Sequence, residues 1–383
     1  MKIHGTYNTA LVFNANVDEE SYRQIQEFCN QEIFAGIQIR IMPDVHAGKG
    51  CVIGYTANLG EKVVPNLIGL DIGCGILATN IGRLDIKYDK LDKNIRQNIP
   101  HGFKRNKTAD PEDHPADFIG NLRETCKFLG INFMDHLKGI GSLGGGNHFI
   151  EIATDGDKNK WLLIHSGSRN FGLQVATWHQ EQAIRDCRKQ EVEIPKHFAY
   201  LEGGSRENYI RDMKVAQEYA RRNRMVIKNR ILNHLGIIVQ PETPKDPGDN
   251  EIIEQFETVH NYINFEDKII RKGAVSAMKN ERIIIPLNMR DGSLIARGKG
   301  NPDWNFSAPH GAGRCLSRNQ ARKQLDMDDF EKAMKNVWTS TVSIKTLDEA
   351  PKAYKPKGEL LQYIGDTADI EETLKPVYNF KSE

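Results

Sequence analysis

Five short segments of this chain place glycine beside a side chain able to ligate a metal: 43-PDVHAGKG-50, 69-GLDIGCG-75, 144-GGGNHF-149, 165-HSGSRN-170 and 309-PHGAGR-314. A sixth, 258-TVHNY-262, carries the histidine without the glycine. Glycine lets a backbone turn sharply or come close to an ion or phosphate. Five of the 12 histidines sit in these settings: His46, His148, His165, His260 and His310. The other seven have ordinary polar or helical neighbours and read as surface or satisfied core residues.

Asp71 and Cys74 lie three apart around Gly73, so one tight turn can aim a carboxylate and a thiolate at one point. A single sulfur can bridge two borderline ions such as Mn²⁺ or Zn²⁺. Taken alone, the same segment equally suits a structural turn with a buried free cysteine. Three glycines precede Asn147 and His148, and glycine-rich loops cradle phosphates through backbone N–H groups. In 161-WLLIHSGSRN-170 an apolar run ends abruptly in His165 and Arg169, a pairing suited to a metal beside an anion. His310 precedes Gly311 and Gly313, with Arg314 four residues on; if a helix starts there, both face its positive end. Asp71, Cys74, His148, His165 and His260 already suffice for a two-metal site. His310 is then free to act as a nucleophile on phosphorus, although residue chemistry alone also permits it as a ligand. The joint reading is metal-dependent chemistry on phosphate.

These side chains need elements to hold them. Helical spacing is expected over 21–33, 84–98 and 117–138. It is strongest over 205–235, where Tyr209, Met213, Ala216, Ala220, Ile227, Ile231 and Leu235 recur at helical intervals before a capping Gly236. Strand-like runs fall at 37–42, 51–55, 76–81, 161–165, 256–264, 267–271 and 282–287. Helices and strands do not alternate strictly, which argues against a doubly wound parallel sheet and for an α+β fold. The stretches 104–117 and 241–250 read as exposed loops. Neither separates the chemically interesting residues into two groups, so one compact catalytic domain over 1–383 is expected.

Composition sets the class. With 52 Lys plus Arg against 51 Asp plus Glu, the net charge of +1 neither supports nor excludes nucleic acid, because a local basic groove needs no overall excess. At 39% hydrophobic and 27% charged residues, the chain is globular rather than disordered. No run approaches 18 apolar residues, no signal-peptide core opens the chain, and six cysteines without a CxxC argue against a disulfide framework. A cytoplasmic, soluble enzyme is expected, monomeric in the absence of an obvious interaction stripe.

The same motifs, with 259-VHNY-262, 348-DEAPKAYK-355 and the closing LKPVYNFK, resemble the RtcB family of RNA ligases in order and spacing, from about residue 40 to the carboxyl terminus. The resemblance implies an α+β fold with mixed sheets around a deep central metal site, and joining of RNA 3′-phosphate or 2′,3′-cyclic phosphate ends to 5′-hydroxyl ends, with GTP and Mn²⁺, in RNA repair or tRNA splicing. It implies that Cys74 bridges two Mn²⁺ ions, with Asp71 and His148 completing one site and His165 and His260 the other. His310 would become guanylylated. Asn147, Glu151, Asn288, Ser293, Tyr354 and Lys381 would hold the guanine nucleotide, and Arg169, Arg314 and Lys272 would neutralise phosphates. Asp44 and His46 belong to the first motif without a specific role. The chain departs from the family's archaeal pattern in its compactness, in 286-PLNMRDGSL-294 and in ending Lys381-Ser382-Glu383, which suggests a bacterial branch.

Two competing readings remain open at this level. A two-metal RNA phosphoesterase or cyclic phosphodiesterase would use the same ligands but would not need His310 with a nucleotide pocket. A non-catalytic RNA-binding protein on a degenerate scaffold would be expected to have lost Cys74 or His310. The basic runs 103-FKRNK-107 and 221-RRNRMVIKNR-230 could line an RNA path, but read more simply as solvated loop and helix faces.

Overall fold

A seven-stranded, wholly antiparallel sheet organises the site. From edge to edge its strands are Arg282–Asn288, Gly292–Gly298, Ala368–Lys381, Phe149–Thr154, Lys160–Ser166, Gly75–Asn80 and Glu254–Val259. A six-stranded sheet runs Lys2–His4, Thr9–Val12, Ile39–His46, Ile53–Asn58, Ile269–Lys272 and Asn261–Asn264; Thr9–Val12 and Ile39–His46 form its parallel pair. A short ribbon pairs Ala274–Ser276 with Ser307–Pro309. This computed structural model describes residues 1–237 and 254–382, so the loop expected over 241–250 lies outside the described residues. The class is α+β.

Register explains why distant motifs meet. Gly75 pairs with Ser166 on one side and Val259 on the other, and Phe149 pairs with both His165 and Lys381. Cys74, His148, His165, His260 and Lys381 therefore lie at or just beyond the same end of adjacent strands. The expected strand over 256–264 breaks at His260, whose N–H donates to the Cys74 carbonyl at 2.9 Å. A side chain at that break points out of the regular ladder and into the site.

The helix Gly203–His234 packs across the strands that carry His165 and Cys74. Its apolar face is the expected one, with Tyr209, Met213, Ala216, Ala220, Ile227 and Ile231 fully buried. Gly236, at φ 74°, closes it with N–H bonds from Ile237 to the Leu232 carbonyl and from Gly236 to the Asn233 carbonyl, the Schellman pattern. Gly73 (φ 72°) lies directly beneath this helix, where a Cβ would come within 2.9 Å of the Ala220 methyl. A side chain there would push the Asp71–Cys74 turn off the helix.

Other elements differ from expectation for identifiable reasons. The helix expected over 117–138 is two, Ala116–Leu129 and Phe133–Leu137, separated by Gly130 in the left-handed conformation. The 21-residue helix Arg169–Lys189 is absent from the sequence reading, because its buried face includes Gly172, Ala176, His179, Gln180, Ala183 and Cys187, small or polar residues that weaken the apolar stripe. The 14-residue strand Ala368–Lys381 is masked by acidic residues and by Pro376, which sits at a register shift.

Candidate active site

Five side chains converge as two overlapping triplets. Cys74, His165 and His260 form one and Asp71, Cys74 and His148 the other, with the donor atoms of each within 4.8 Å of one another. Cys74 Sγ lies 3.4 Å from His148 Nε2 and 3.3 Å from His165 Nε2. His165 and His260 approach Nε2 to Nε2 at 3.4 Å, and His148 Nε2 lies 2.9 Å from Asp71 Oδ2. Two ring nitrogens this close cannot both carry protons, so a lone pair faces the cluster. His148 is oriented from behind, its Nδ1 2.9 Å from the Leu143 carbonyl, which fixes Nε2 as the inward nitrogen.

Electrostatics suit cation binding. Burial, reinforced by neighbouring cationic groups, holds His165 and His260 well below the ordinary imidazole range, so both are neutral donors. Burial and the Asp71 charge raise the Cys74 thiol, which would become a thiolate only beside a cation. Burial also pushes Asp71 up, but its hydrogen bond to His148 and that residue's charge prevail and keep it ionised. One sulfur, three imidazoles and one carboxylate, with sulfur shared, fit a pair of borderline divalent ions with coordination positions left for substrate.

His310 belongs to neither triplet. It follows the Ser307–Pro309 strand in a turn rather than opening a helix; the next helix is Arg318–Gln324, so His310 and Arg314 do not share a helix face. Its Nδ1 is 2.6 Å from Asp44 Oδ2, and the same oxygen accepts its backbone N–H at 3.1 Å. Asp44 is fully buried, at the end of the strand Ile39–His46. This contact holds the tautomer with the proton on Nδ1 and leaves Nε2 as the lone-pair nitrogen. The His310 and His260 rings lie 5.0 Å apart, beside the metal-type cluster. His46 Nδ1 reaches the Asp44 carbonyl at 2.9 Å, and burial lowers its pKa to about 4, keeping it neutral.

A cavity of about 290 Å³ opens from this cluster and is lined by Asn147, Glu151, Asn288, Ser293, Tyr354 and Lys381 together with His310 and Arg314. That is near the lower end for small-molecule sites, roughly 300–1,000 Å³. Glu151 is buried on its floor. One oxygen accepts from Asn379 at 2.7 Å, the other has no partner, and burial raises its pKa to about 8. Glu349, unassigned in the sequence reading, does not line this cavity but gathers three cations that do. Its carboxylate meets Lys381 Nζ at 2.5 Å, Arg318 at 2.6 Å and Arg314 at 3.3 Å, and accepts from the Tyr354 hydroxyl at 2.6 Å. Burial alone would raise it, yet Lys381, Arg318 and Arg314 pull its pKa to about 2. The signal for it lay in 348-DEAPKAYK-355, an acidic pair beside a tyrosine; its cationic partners come from the chain's far side and its end.

Lys272 is not brought to this cavity. Its ammonium is buried and donates to the Lys49 and Asn66 carbonyls at 2.8 and 3.0 Å, so it ties loops together. Arg169 lies on the Asp71–His148 side, donating to the Gly102 carbonyl at 2.7 Å and to Ser142 Oγ at 3.2 Å. The basic run 221–230 also differs from a solvated face. Arg224 is buried and grips the Gly73 carbonyl (2.7 Å), the Ser166 carbonyl (2.6 Å) and Glu257 (2.6 Å), clamping both turns that carry ligands. Arg221 and Arg222 pair with Glu218 on the same helix. No helix among the described residues is long and apolar enough to cross a membrane.

Sequence comparison identifies the family. A family profile described as tRNA-splicing ligase RtcB matches residues 29–131 and 132–382. The RNA-splicing ligase RtcB of Escherichia coli K12 is 32% identical over 365 residues, covering 88% of each chain. Archaeal relatives are more distant: the tRNA-splicing ligases RtcB of Nanoarchaeum equitans and Methanococcus maripaludis are 25% and 26% identical, over 84% and 93% of this chain and 83% and 89% of theirs. The higher identity on the bacterial side is consistent with a bacterial branch, and by profile, coverage and identity the chain belongs to the RtcB family.

Proposed function

We propose that this protein is a GTP-dependent RNA ligase that joins an RNA 3′-phosphate, or a 2′,3′-cyclic phosphate after its hydrolysis, to a 5′-hydroxyl, in RNA repair or tRNA splicing. The observation that carries the reading is the Asp44–His310 pair, 2.6 Å long, beside a five-residue donor cluster to which His310 does not belong. A two-metal phosphoesterase would leave that pair, and the nucleotide-sized cavity, without a task. Residues from His46 to Lys381 line this one site, which supports reading 1–383 as one catalytic unit.

In the first step His310 Nε2 attacks the α-phosphorus of GTP; the N–P bond forms as pyrophosphate leaves. Asp44 keeps the Nδ1 proton in place and offsets the positive charge developing on the ring. Glu151 supports guanine over adenine: its buried oxygen without a partner suits the N–H donors of the guanine edge, which would draw its raised pKa back down and hold it as the carboxylate. Asn147, Asn288, Ser293, Tyr354 and Lys381 line the remainder of the nucleotide site, and Arg314 and Arg169 offer charge to phosphates. Asp71, Cys74, His148, His165 and His260 would hold two Mn²⁺ ions, which when bound supply Lewis-acid charge to phosphoryl oxygens and lower the pKa of a coordinated hydroxyl. In the second step a 3′-phosphate oxygen attacks the guanylyl phosphorus, His310 leaves as neutral imidazole, and RNA(3′)pp(5′)G forms. In the third the 5′-hydroxyl attacks the RNA phosphate, GMP departs, and a phosphodiester remains.

The test is a set of oligonucleotides with defined ends, incubated with protein, Mn²⁺ and GTP. Joining of a 3′-phosphate strand to a 5′-hydroxyl strand, with ATP unable to replace GTP, is the expected result. Joining only of 3′-hydroxyl to 5′-phosphate ends, or phosphate release without joining, would overturn the reading.

A further inference from the structure

A second cavity, of about 1000 Å³, lies against the first on the Asp71–His148 side; Asp71, Asn147 and Arg318 line both. His148 lines only the larger one, whereas His165, His260 and His310 line only the smaller. The metal-type cluster therefore separates a nucleotide chamber from a wider approach. At the wall of that approach stands Phe103, fully exposed at 105% of its reference area.

An aromatic ring wholly in water needs a reason when its backbone is pinned, and here it is pinned on both sides. The Gly102 N–H donates to the Gly144 carbonyl at 2.9 Å, and the Gly102 carbonyl accepts from Arg169 at 2.7 Å. Three residues on, Asn106 donates from its backbone to the Lys138 carbonyl (3.0 Å) and from its side chain to the Ile140 carbonyl (2.6 Å), and accepts from Arg230 (2.9 Å). The tip between these anchors, Phe103-Lys104-Arg105, is therefore held at the cavity wall by its backbone on both sides. Lys104 is exposed, and Arg105 is partly offset by Asp135 at 3.5 Å. The Arg169 that holds Gly102 also lines the cavity beside Asp71, so the tip and the cluster are mechanically joined.

An exposed ring on an anchored backbone next to cations, at the mouth of a phosphate-handling site, is the arrangement that binds single-stranded nucleic acid by base stacking and backbone neutralisation. Resting on the ligase reading above, we propose that the larger cavity seats the 3′-terminal nucleotides of single-stranded RNA, with one base stacked on Phe103, the backbone beside Lys104, and the terminal phosphate directed past Arg169 to the Asp71–His148 side. The run 103–107 is then a substrate contact, not only a solvated loop. The basic helical run is not part of this path.

The experiment measures binding of a 3′-phosphate single-stranded oligoribonucleotide by anisotropy, with Mn²⁺ present and no GTP, so that it does not depend on guanylylation. Phe103→Ala should weaken binding roughly ten-fold, and Phe103→Trp should restore it, as expected for stacking. Lys104→Ala should lower the slope of log affinity against log salt by about 0.7. Affinity of Phe103→Ala equal to that of the parent would overturn the proposal, as would a loss that Phe103→Trp does not recover. Failure of the parent protein to guanylylate, with these binding differences intact, would instead count against the ligase reading alone.

Discussion

Replacing Glu349 by glutamine removes the charge that holds Lys381, Arg318 and Arg314, three cations on the wall of the smaller cavity, and leaves the side-chain shape. The Lys381 ammonium, 5% exposed, would then be buried opposite a neutral amide, with Arg314 also losing its partner. Removing one member of a buried pair typically costs about 3–5 kcal/mol. Linkage gives a similar size: a pKa drawn from 4.5 down to about 2 corresponds to about 3 kcal/mol at pH 7. With an unfolding entropy of about 2.1 cal/mol/K per residue over 383 residues, the expected fall in Tm is about 4–6 °C. The sign follows from the direction of the shift. A depressed carboxylate stabilises the fold above its unfolded pKa, and that stabilisation disappears as pH falls from 4.5 towards 2. Melting curves of parent and Glu349→Gln in chelator should differ fully from pH 5 to pH 8. They should converge on acidification, with roughly 1.4 kcal/mol remaining at pH 3. Coincident melts at pH 7, or a full difference persisting at pH 3, would refute the ion-pair account of this wall.

Three further outcomes follow from the geometry. Asp44→Asn should slow GMP attachment roughly 100-fold or more, because the Nδ1–H tautomer and the developing ring charge lose their partner; rapid-quench labelling measures this. Glu151→Gln should raise the KM for GTP roughly 10–100-fold and narrow the preference over ATP, read from labelling with each nucleotide. Arg224→Met should cost at least about 3 kcal/mol of stability, seen in denaturant titration, while leaving the salt slope of RNA binding unchanged, because this arginine clamps Gly73 and Ser166 rather than a phosphate.

Most of the donor set was legible before any fold, since Asp71, Cys74, His148 and His165 announce themselves by residue type beside glycines, whereas His260, in 258-TVHNY-262, has only its residue type. Their meeting follows from strand ends in register, which alternation patterns locate only to within a few residues. Roles that depend on partners far away in sequence stayed hidden. Nothing near Asp44 in the chain points to His310, 266 residues on. Glu349 acquires its meaning from Lys381 and Arg318. Lys272 shows the converse, a cation whose ammonium hydrogen-bonds two carbonyls from loops far away in sequence, contacts that only the fold displays. Arg224 looked like one of several helical surface cations, and only the packing of that helix over the Gly73 turn separates it from Arg221 and Arg222.

The central claim is that His310 is the nucleophile, and one measurement addresses it directly. Protein incubated with α-labelled GTP and Mn²⁺ is denatured, tested for acid-labile and alkali-stable label, and mapped by peptide mass spectrometry. Label on the peptide containing His310, dependent on Mn²⁺ and absent in His310→Ala, is the predicted result. Label on another residue, or none from protein with Mn²⁺ demonstrably bound, would contradict the account.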